Sequence, residues 1–158
     1  MVWWKRFAGR LLLAVIIWTA SFAFGSVLPR PRAAPAGAAP SLPAGAAAIF
    51  SINARVAATA ALGLVTCGLS SIMVLLANGM LSGFIWAGFR AGGAGPIEIL
   101  KWIVPHGPFE LGGLFLAAAL GLMGLRRFKV QPAIEVMAAS AALTVIGAFL
   151  EAWEIAAL

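Results

Sequence analysis

The sequence predicts an all-α, polytopic integral membrane protein with about five transmembrane helices. Hydrophobic residues make up 63% of the 158, mean hydropathy is +1.02, and only 10% are charged. Long uncharged runs alternate with short basic or Pro/Gly-rich breaks. A soluble domain of this size could not hide so much apolar surface from water, and disordered chains have low hydrophobicity and high charge. Lipid is therefore the medium in which we expect the chain to fold.

The first predicted span covers residues 11–28, a run of eighteen uncharged residues that follows the basic residues Lys5, Arg6 and Arg10. A basic start followed by an apolar run is also typical of a cleaved signal peptide. The run is long for a signal sequence, and bulky phenylalanines near its end interrupt the pattern of small residues that a signal peptidase recognises. A retained first helix is therefore the favoured interpretation.

Residues 29–45 are predicted to form a connector, because five of the nine prolines lie in this stretch and proline removes backbone donors that a spanning helix needs. Residues 56–89 then form thirty-four consecutive uncharged positions. A single helix of that length would measure about 51 Å, against roughly 30 Å of hydrocarbon. We therefore predict two spans, over residues 47–67 and 71–90, joined by a tight turn near residues 68–71.

The second half predicts an interfacial amphipathic segment over residues 97–104, which is too short to span. Two further spans follow, over residues 108–125 and 133–153, with a basic cluster at residues 126–129 between them. If the N-terminus is cytoplasmic, five crossings place this cluster and the basic N-terminus on the cytoplasmic side, as the positive-inside rule requires. The sequence thus predicts a multi-pass protein of a bacterial or archaeal cell membrane, with its N-terminus in the cytoplasm.

The charge balance and the small residues indicate the kinds of partner. Eleven Lys and Arg against five acidic residues give a net charge of +6. The basic residues stand between apolar runs, which favours membrane lipid headgroups over nucleic acid as their partner. Small residues four apart let helix backbones approach closely, either within one chain or at a seam with a protein partner or second copy. Three motifs have this spacing: Gly79-x-x-x-Gly83, Gly88-x-x-x-Gly92 and Ala117-x-x-x-Gly121.

Polar residues within or beside the spans are the functional candidates, because a charge at the bilayer centre costs roughly 2.5–3.5 kcal/mol. These are His106, Glu110, Glu151, Asn53 and Asn78. In a structural interpretation, Glu110 accepts backbone N–H groups at a helix start and His106 bonds to a carbonyl. In a functional interpretation, they form a metal site, a proton relay or a docking site.

The residue inventory argues against chemistry by this chain alone. A zinc site needs three or four ligands, and the chain has one histidine, no aspartate and a single cysteine, Cys67. Cys67 lies in an apolar run and is predicted to be a small buried hydrophobic residue. No serine-nucleophile motif and no phosphate-binding loop is present. We therefore expect no enzymatic activity, no metal and no cofactor.

Four elements of the sequence contain most of these polar residues: Pro105-His106-Gly107-x-x-Glu110, Asn78-Gly79-x-x-x-Gly83, Asn53, and Glu151-Ala152. Together they resemble elements of a known family of membrane proteins, the stage II sporulation protein M family. The likeness extends from about Ile49 to Trp153. The chain departs from the pattern at Ala54, where a second asparagine is expected, and in its short, proline-rich first connector.

This resemblance implies a five-span protein without known enzymatic activity, with Pro105, His106, Gly107 and Glu110 as the leading functional positions. In spore formers the namesake recruits peptidoglycan-degrading partners to the septal membrane, and many relatives occur in organisms that do not sporulate. The first hypothesis is therefore a membrane scaffold or subunit that assembles with other proteins. The alternative is a transporter or channel component in which His106, Glu110 and Glu151 line a proton or cation path, since histidine titrates near neutral pH.

Overall fold

The computed structural model describes residues 2–28 and 42–157, and all regular secondary structure within them is helical. Four of the helices are long and apolar enough to cross a membrane, and a bent pair, Pro96–Ile103 with Gly107–Met123, makes a fifth candidate span. The predicted fold class is thereby confirmed. The helices are α1 (Val2–Ser26), α2 (Leu42–Ala61), α3 (Leu69–Ala91), α4 (Pro96–Ile103), α5 (Gly107–Met123) and α6 (Val130–Ala156), with 3₁₀ turns at Leu62–Leu64 and Leu125–Arg127.

Helices α1 and α3 run parallel and pack with their backbones in close contact. Gly79 lies against the Trp18 carbonyl, and one turn later Gly83 lies against the Phe22 carbonyl. Both glycines are buried. A side chain at either position would hold the helices apart, which is why small residues four apart are found here. The Gly79-x-x-x-Gly83 motif therefore packs within the chain.

Helices α5 and α6 run antiparallel. Gly113 packs against the Ser140 backbone. Glu110, one turn before Gly113 on α5, packs against Gly147, which lies two turns after Ser140 on α6. The buried Ser140 hydroxyl donates to the Gly113 carbonyl over 2.7 Å. Such interhelical bonds give hydroxyls a partner where water is absent.

Helix α2 is antiparallel to α3 and parallel to α5. The buried Ser71 hydroxyl donates to the Ala60 carbonyl over 2.7 Å, and Gly121 lies against the same carbonyl. At the other end of the bundle, Asn53 contacts Glu110. Helices α1, α3 and α6 thus run in one direction and α2 and α5 in the other, as five alternating crossings require.

Helix α4 is short and lies beside the bundle rather than along it. It begins at Pro96, and the Glu98 carboxylate accepts the Gly95 N–H over 2.7 Å, which caps its first turn. The turn at residues 104–106 bends the axis by 66° into α5. Helix α5 itself has 17 residues, or about 26 Å. Helix α4 covers most of the predicted interfacial segment.

The turn between α2 and α3 comes earlier than expected, at residues 65–68 instead of 68–71. Gly68 has φ +88°, a conformation that glycine adopts without strain. Cys67 has φ +52° and is exposed, so its prediction as a buried residue is wrong. The apolar composition continues through the turn, which conceals it in the sequence. Helix α2 begins at Leu42, so residues 42–45 of the predicted connector are helical; residues 29–41 lie outside the described part.

Two buried apolar clusters fill the half of the bundle that contains the N-terminus. The Trp3 indole donates to the Arg127 carbonyl over 3.2 Å, so the basic N-terminus and the basic cluster at residues 126–129 share this end. The end cluster comprises Trp3, Phe7, Ala119, Leu120, Met123, Ala133 and Val136. The central cluster comprises Ala14, Ala57, Ala60, Leu75, Leu114, Ala117 and Ala118.

Candidate functional site

A cavity of about 430 Å³ lies in the half of the bundle opposite the N-terminus. Along α6 it extends from Thr144 to Ile155, about 16 Å. Leu114 belongs both to its wall and to the central cluster, which therefore forms its floor. The polar and ionisable residues that line it are Asn53, Asn78, Ser82, His106, Glu110, Thr144, Glu151 and Glu154.

Three of these residues form a cluster of potential ligands. One ligand atom each from His106, Glu110 and Glu151 lies within 4.8 Å of the other two. His106 is the residue before α5 and Glu110 is in the first turn of that helix, while Glu151 lies near the end of α6. The antiparallel packing of α5 and α6 brings the start of one helix to the end of the other, which places the three side chains together.

The His106 ring is held by an acidic side chain that the sequence analysis did not select. His106 Nδ1 lies 2.9 Å from Glu154 Oε2, and the two side chains are 17% and 21% exposed. The predicted partner of His106 in the structural interpretation was a backbone carbonyl. The second oxygen, Glu154 Oε1, is buried and has no hydrogen-bond partner among the described residues.

Glu110 bonds to a side chain from α2 instead of to its own helix start. Asn53 Nδ2 donates to Glu110 Oε1 over 2.5 Å, and no side-chain hydrogen bond caps α5. Gly147 gives this carboxylate its space, since a Cβ there would lie 2.6 Å from Glu110 Cγ. The structural interpretation of Glu110 as a helix-capping residue is therefore wrong.

Three further polar side chains of the wall, Asn78, Ser82 and Thr144, form hydrogen bonds of their own. The Trp18 indole donates to Asn78 Oδ1 over 3.0 Å, which joins α1 to α3 within the cavity. The Ser82 and Thr144 hydroxyls each donate over 2.9 Å to a carbonyl one turn earlier in their own helices. Neither hydroxyl contacts His106, so the cavity contains no activated serine or threonine nucleophile among its described residues.

The other predicted positions lie around the cavity or behind its wall. Gly107 is buried and lines it, and Pro105 is exposed in the turn before α5. Gly79 and Gly83 lie behind the wall, in the α1–α3 contact. Sequence reasoning missed Glu154, although its spacing of three residues from Glu151 places the two carboxylates on one helix face.

The site is acidic in character. Glu110, Glu151 and Glu154 face a cavity whose described lining residues include no lysine or arginine. Carboxylates gathered in apolar surroundings repel each other and lose hydration. The arrangement therefore suits a proton, a metal ion or another cationic group.

Comparison with known proteins identifies one related family. The model of the family described as SpoIIM, Stage II sporulation protein M, matches residues 10–153. No curated protein and no solved structure matches the chain.

Proposed function

Because the chain belongs to the stage II sporulation protein M family, we propose that it is a non-enzymatic scaffold or subunit that assembles with other proteins in the cell membrane. The two basic clusters at one end of the bundle favour a cytoplasmic location for the N-terminus. The cavity then opens toward the extracytoplasmic half of the membrane. The fold of a membrane bundle is common to many functions, so the proposal depends on the features of the cavity and of the outer surface.

The observation that carries the proposal is that the cavity is one-sided. The wall of the cavity ends at Leu114 and Thr144. From there toward the N-terminal end of the bundle, the two apolar clusters fill the interior. Leu75, Leu120 and Ala117 in these clusters are at most 2% exposed. A cavity closed by packed side chains favours binding over conduction, because ions do not cross a dry apolar layer.

The hydrogen bonds that the cavity hydroxyl groups form with backbone carbonyls support a non-enzymatic role. Ser82 and Thr144 are the hydroxyl-bearing residues among the described cavity wall, and both donate to backbone carbonyls. A nucleophilic mechanism would need a base within hydrogen-bond reach of such a hydroxyl. Neither hydroxyl hydrogen-bonds to His106, the imidazole base in the cavity wall.

The outer surface offers a small-residue face on which a partner helix could pack. Gly79, Gly83 and Gly121 pack against other helices of the same chain. In contrast, a Cβ at Gly88 would meet no atom within 4 Å. Gly92 would meet only carbonyls of its own helix. Small residues drive helix association in lipid by allowing close approach. The Gly88-x-x-x-Gly92 surface, formed by the last turn of α3 and the residue that follows it, is therefore the contact surface that we assign to a partner helix.

Site-specific photocrosslinking in native membranes tests this assignment. A photoreactive residue in place of Phe89, the residue next to Gly88 in the sequence, is expected to yield one adduct of defined mass, because Phe89 is 51% exposed. The same residue in place of Ile16, 54% exposed on α1, should not yield it. An adduct of two 16.3 kDa chains identifies a homo-oligomer, and any other mass identifies a partner subunit.

Two glycine variants provide the matched control. Gly88→Leu should remove the adduct at position 89, since the larger side chain blocks the approach of a partner helix. Gly9→Leu should leave it unchanged, because a Cβ at Gly9 also meets no atom within 4 Å but lies on α1. Identical adducts at positions 89 and 16, or an adduct that survives Gly88→Leu, would contradict the proposal.

A second candidate function is a proton or cation path, favoured by the cluster of His106, Glu110 and Glu151. In this case the apolar clusters open during transport. Reconstituted vesicles should then show flux that His106→Ala and Glu110→Gln abolish without loss of the fold. Wild-type vesicles that conduct neither protons nor any tested cation would refute this candidate and leave the assembly proposal untouched.

A further inference from the structure

We infer that the cavity contains a binding site for a divalent transition-metal ion, with His106, Glu110 and Glu151 as ligands and Glu154 as the side chain that orients His106. This inference goes beyond the assembly proposal and does not depend on it, because it concerns the isolated chain. It also differs from the sequence-based expectation of no metal, which rested on the small number of histidines and cysteines.

The spacing of the donor atoms supports a single ion. Ligands bound to zinc or manganese at about 2.0–2.2 Å lie roughly 3–4 Å from one another. The donor atoms of His106, Glu110 and Glu151 lie within 4.8 Å of one another before any ion draws them together. The remaining difference of about 1 Å lies within the reach of small side-chain rotations. Three ligands from two different helices then leave positions for water or a further ligand.

The contact between His106 and Glu154 is the second feature that points to a metal. A histidine that binds a metal commonly donates its other ring N–H to a carboxylate, which fixes the tautomer and the orientation of the ring. Glu154 Oε2 lies 2.9 Å from His106 Nδ1. In the neutral ring held in this way, the free lone pair is on Nε2, and we assign this nitrogen as the ligand.

The acidic groups also have no lysine or arginine partner among the described residues. Within this part of the chain the ion-pair partner of the cluster is His106, and no lysine or arginine nitrogen pairs with Glu110, Glu151 or Glu154. Glu154 Oε1 is buried without a hydrogen-bond partner in the same part. A divalent ion would neutralise the repulsion between the carboxylates and give the ligands a common centre.

The ligand types select the class of ion. Imidazole suits zinc, iron, nickel and copper, whereas sites composed of oxygen ligands alone suit magnesium and calcium. Carboxylates with one imidazole therefore favour a transition-metal ion such as Zn²⁺ over Mg²⁺ and Ca²⁺. Asn53 holds Glu110 through the bond to Oε1, which leaves Oε2 for the ion.

Calorimetric titration of the full chain in detergent micelles tests the inference. The protein is purified without a histidine tag, stripped with a chelator and titrated with ZnCl₂ and MgCl₂. We expect one zinc ion per chain and much weaker binding of magnesium. Glu110→Gln and Glu151→Gln, which keep the side-chain shape, should each lower zinc affinity at least 10-fold, and Glu154→Gln about 10–100-fold.

The matched control is Glu135→Gln, because Glu135 is exposed on the same helix as Glu151 but lies at the basic end of the bundle. This variant should bind zinc like the wild type. Size-exclusion elution and tryptophan emission of every variant report whether it is folded. If a ligand variant unfolds, the thermal shift provides a second test, because zinc should still raise the Tm of the wild type and of Glu135→Gln. Wild-type protein that binds no zinc, binds magnesium as tightly, or binds zinc equally after Glu110→Gln would overturn the inference.

Discussion

Replacement of Gly83 by alanine tests whether backbone contact between α1 and α3 holds the bundle together. A Cβ at this position would overlap the Phe22 carbonyl oxygen and would lie 2.9 Å from both the Phe22 carbonyl carbon and the Ser26 nitrogen. All three atoms belong to the backbone, so no side-chain rotation relieves the overlap. Helix α1 must move away by at least about 1 Å to restore ordinary contact distances.

The magnitude follows from comparison with Gly88→Ala in the same helix. Both substitutions gain the same intrinsic helix preference of alanine over glycine, about 0.8–1.0 kcal/mol. Overpacking typically costs about 1–3 kcal/mol, and a clash with backbone atoms belongs at the upper end. We expect Gly83→Ala to be less stable than Gly88→Ala by about 2–3 kcal/mol, or about 30–150-fold in the unfolding equilibrium constant.

Reversible unfolding in mixed detergent micelles measures this difference, with tryptophan emission as the signal. Trp18 is well placed to report it, since its indole bonds to Asn78 across the α1–α3 contact. Gly88→Ala should be at least as stable as the wild type, because a Cβ there meets no atom within 4 Å. A Gly83→Ala protein as stable as Gly88→Ala would refute the close packing of α1 against α3.

Three further predictions concern the cavity and the orientation of the chain. Asn53→Ala removes the interhelical bond to Glu110 and should cost about 0.6–1.7 kcal/mol of unfolding free energy, the range for polar contacts between membrane helices; an unchanged midpoint in the micelle assay would show that the bond contributes nothing. Gly147→Ala places a Cβ 2.6 Å from Glu110 Cγ and should therefore lower zinc affinity about 10-fold by displacing the ligand, so calorimetry that finds wild-type affinity would count against Glu110 as a ligand. Cys67 is exposed at the α2–α3 turn, so with a cytoplasmic N-terminus an impermeant maleimide should label it in right-side-out vesicles only after permeabilisation. A cysteine introduced by Ala91→Cys in a Cys67→Ala background should instead react directly. The opposite labelling pattern would show that the topology is inverted.

The cavity relates the family motifs to one another. Asn53, Asn78, His106, Glu110 and Glu151 come from four helices, yet all of them line a single cavity. The glycine motif on α3 serves the same region indirectly, because close contact between α1 and α3 brings Trp18 within reach of Asn78. The polar elements of the sequence therefore make up one site rather than several.

The sequence by itself determined the solvent, the fold class and most of the candidate residues. Its long apolar runs exclude water as the folding medium, and prolines and basic clusters divide those runs into spans. Periodicity and composition act over a few helical turns, so they indicate where helices lie. They could not show that the turn of α2 and α3 exposes Cys67, because turn and helix share the same apolar composition.

The tertiary structure alone decided which polar residues meet and which glycines remain free. Glu154 pairs with His106 across 48 residues of sequence, and Asn53 bonds to Glu110 across 57. Such pairs depend on the direction and rotation of each helix in the bundle, which side-chain packing between distant segments sets. A hydropathy pattern records how apolar each face is, but it does not specify the partner against which that face packs.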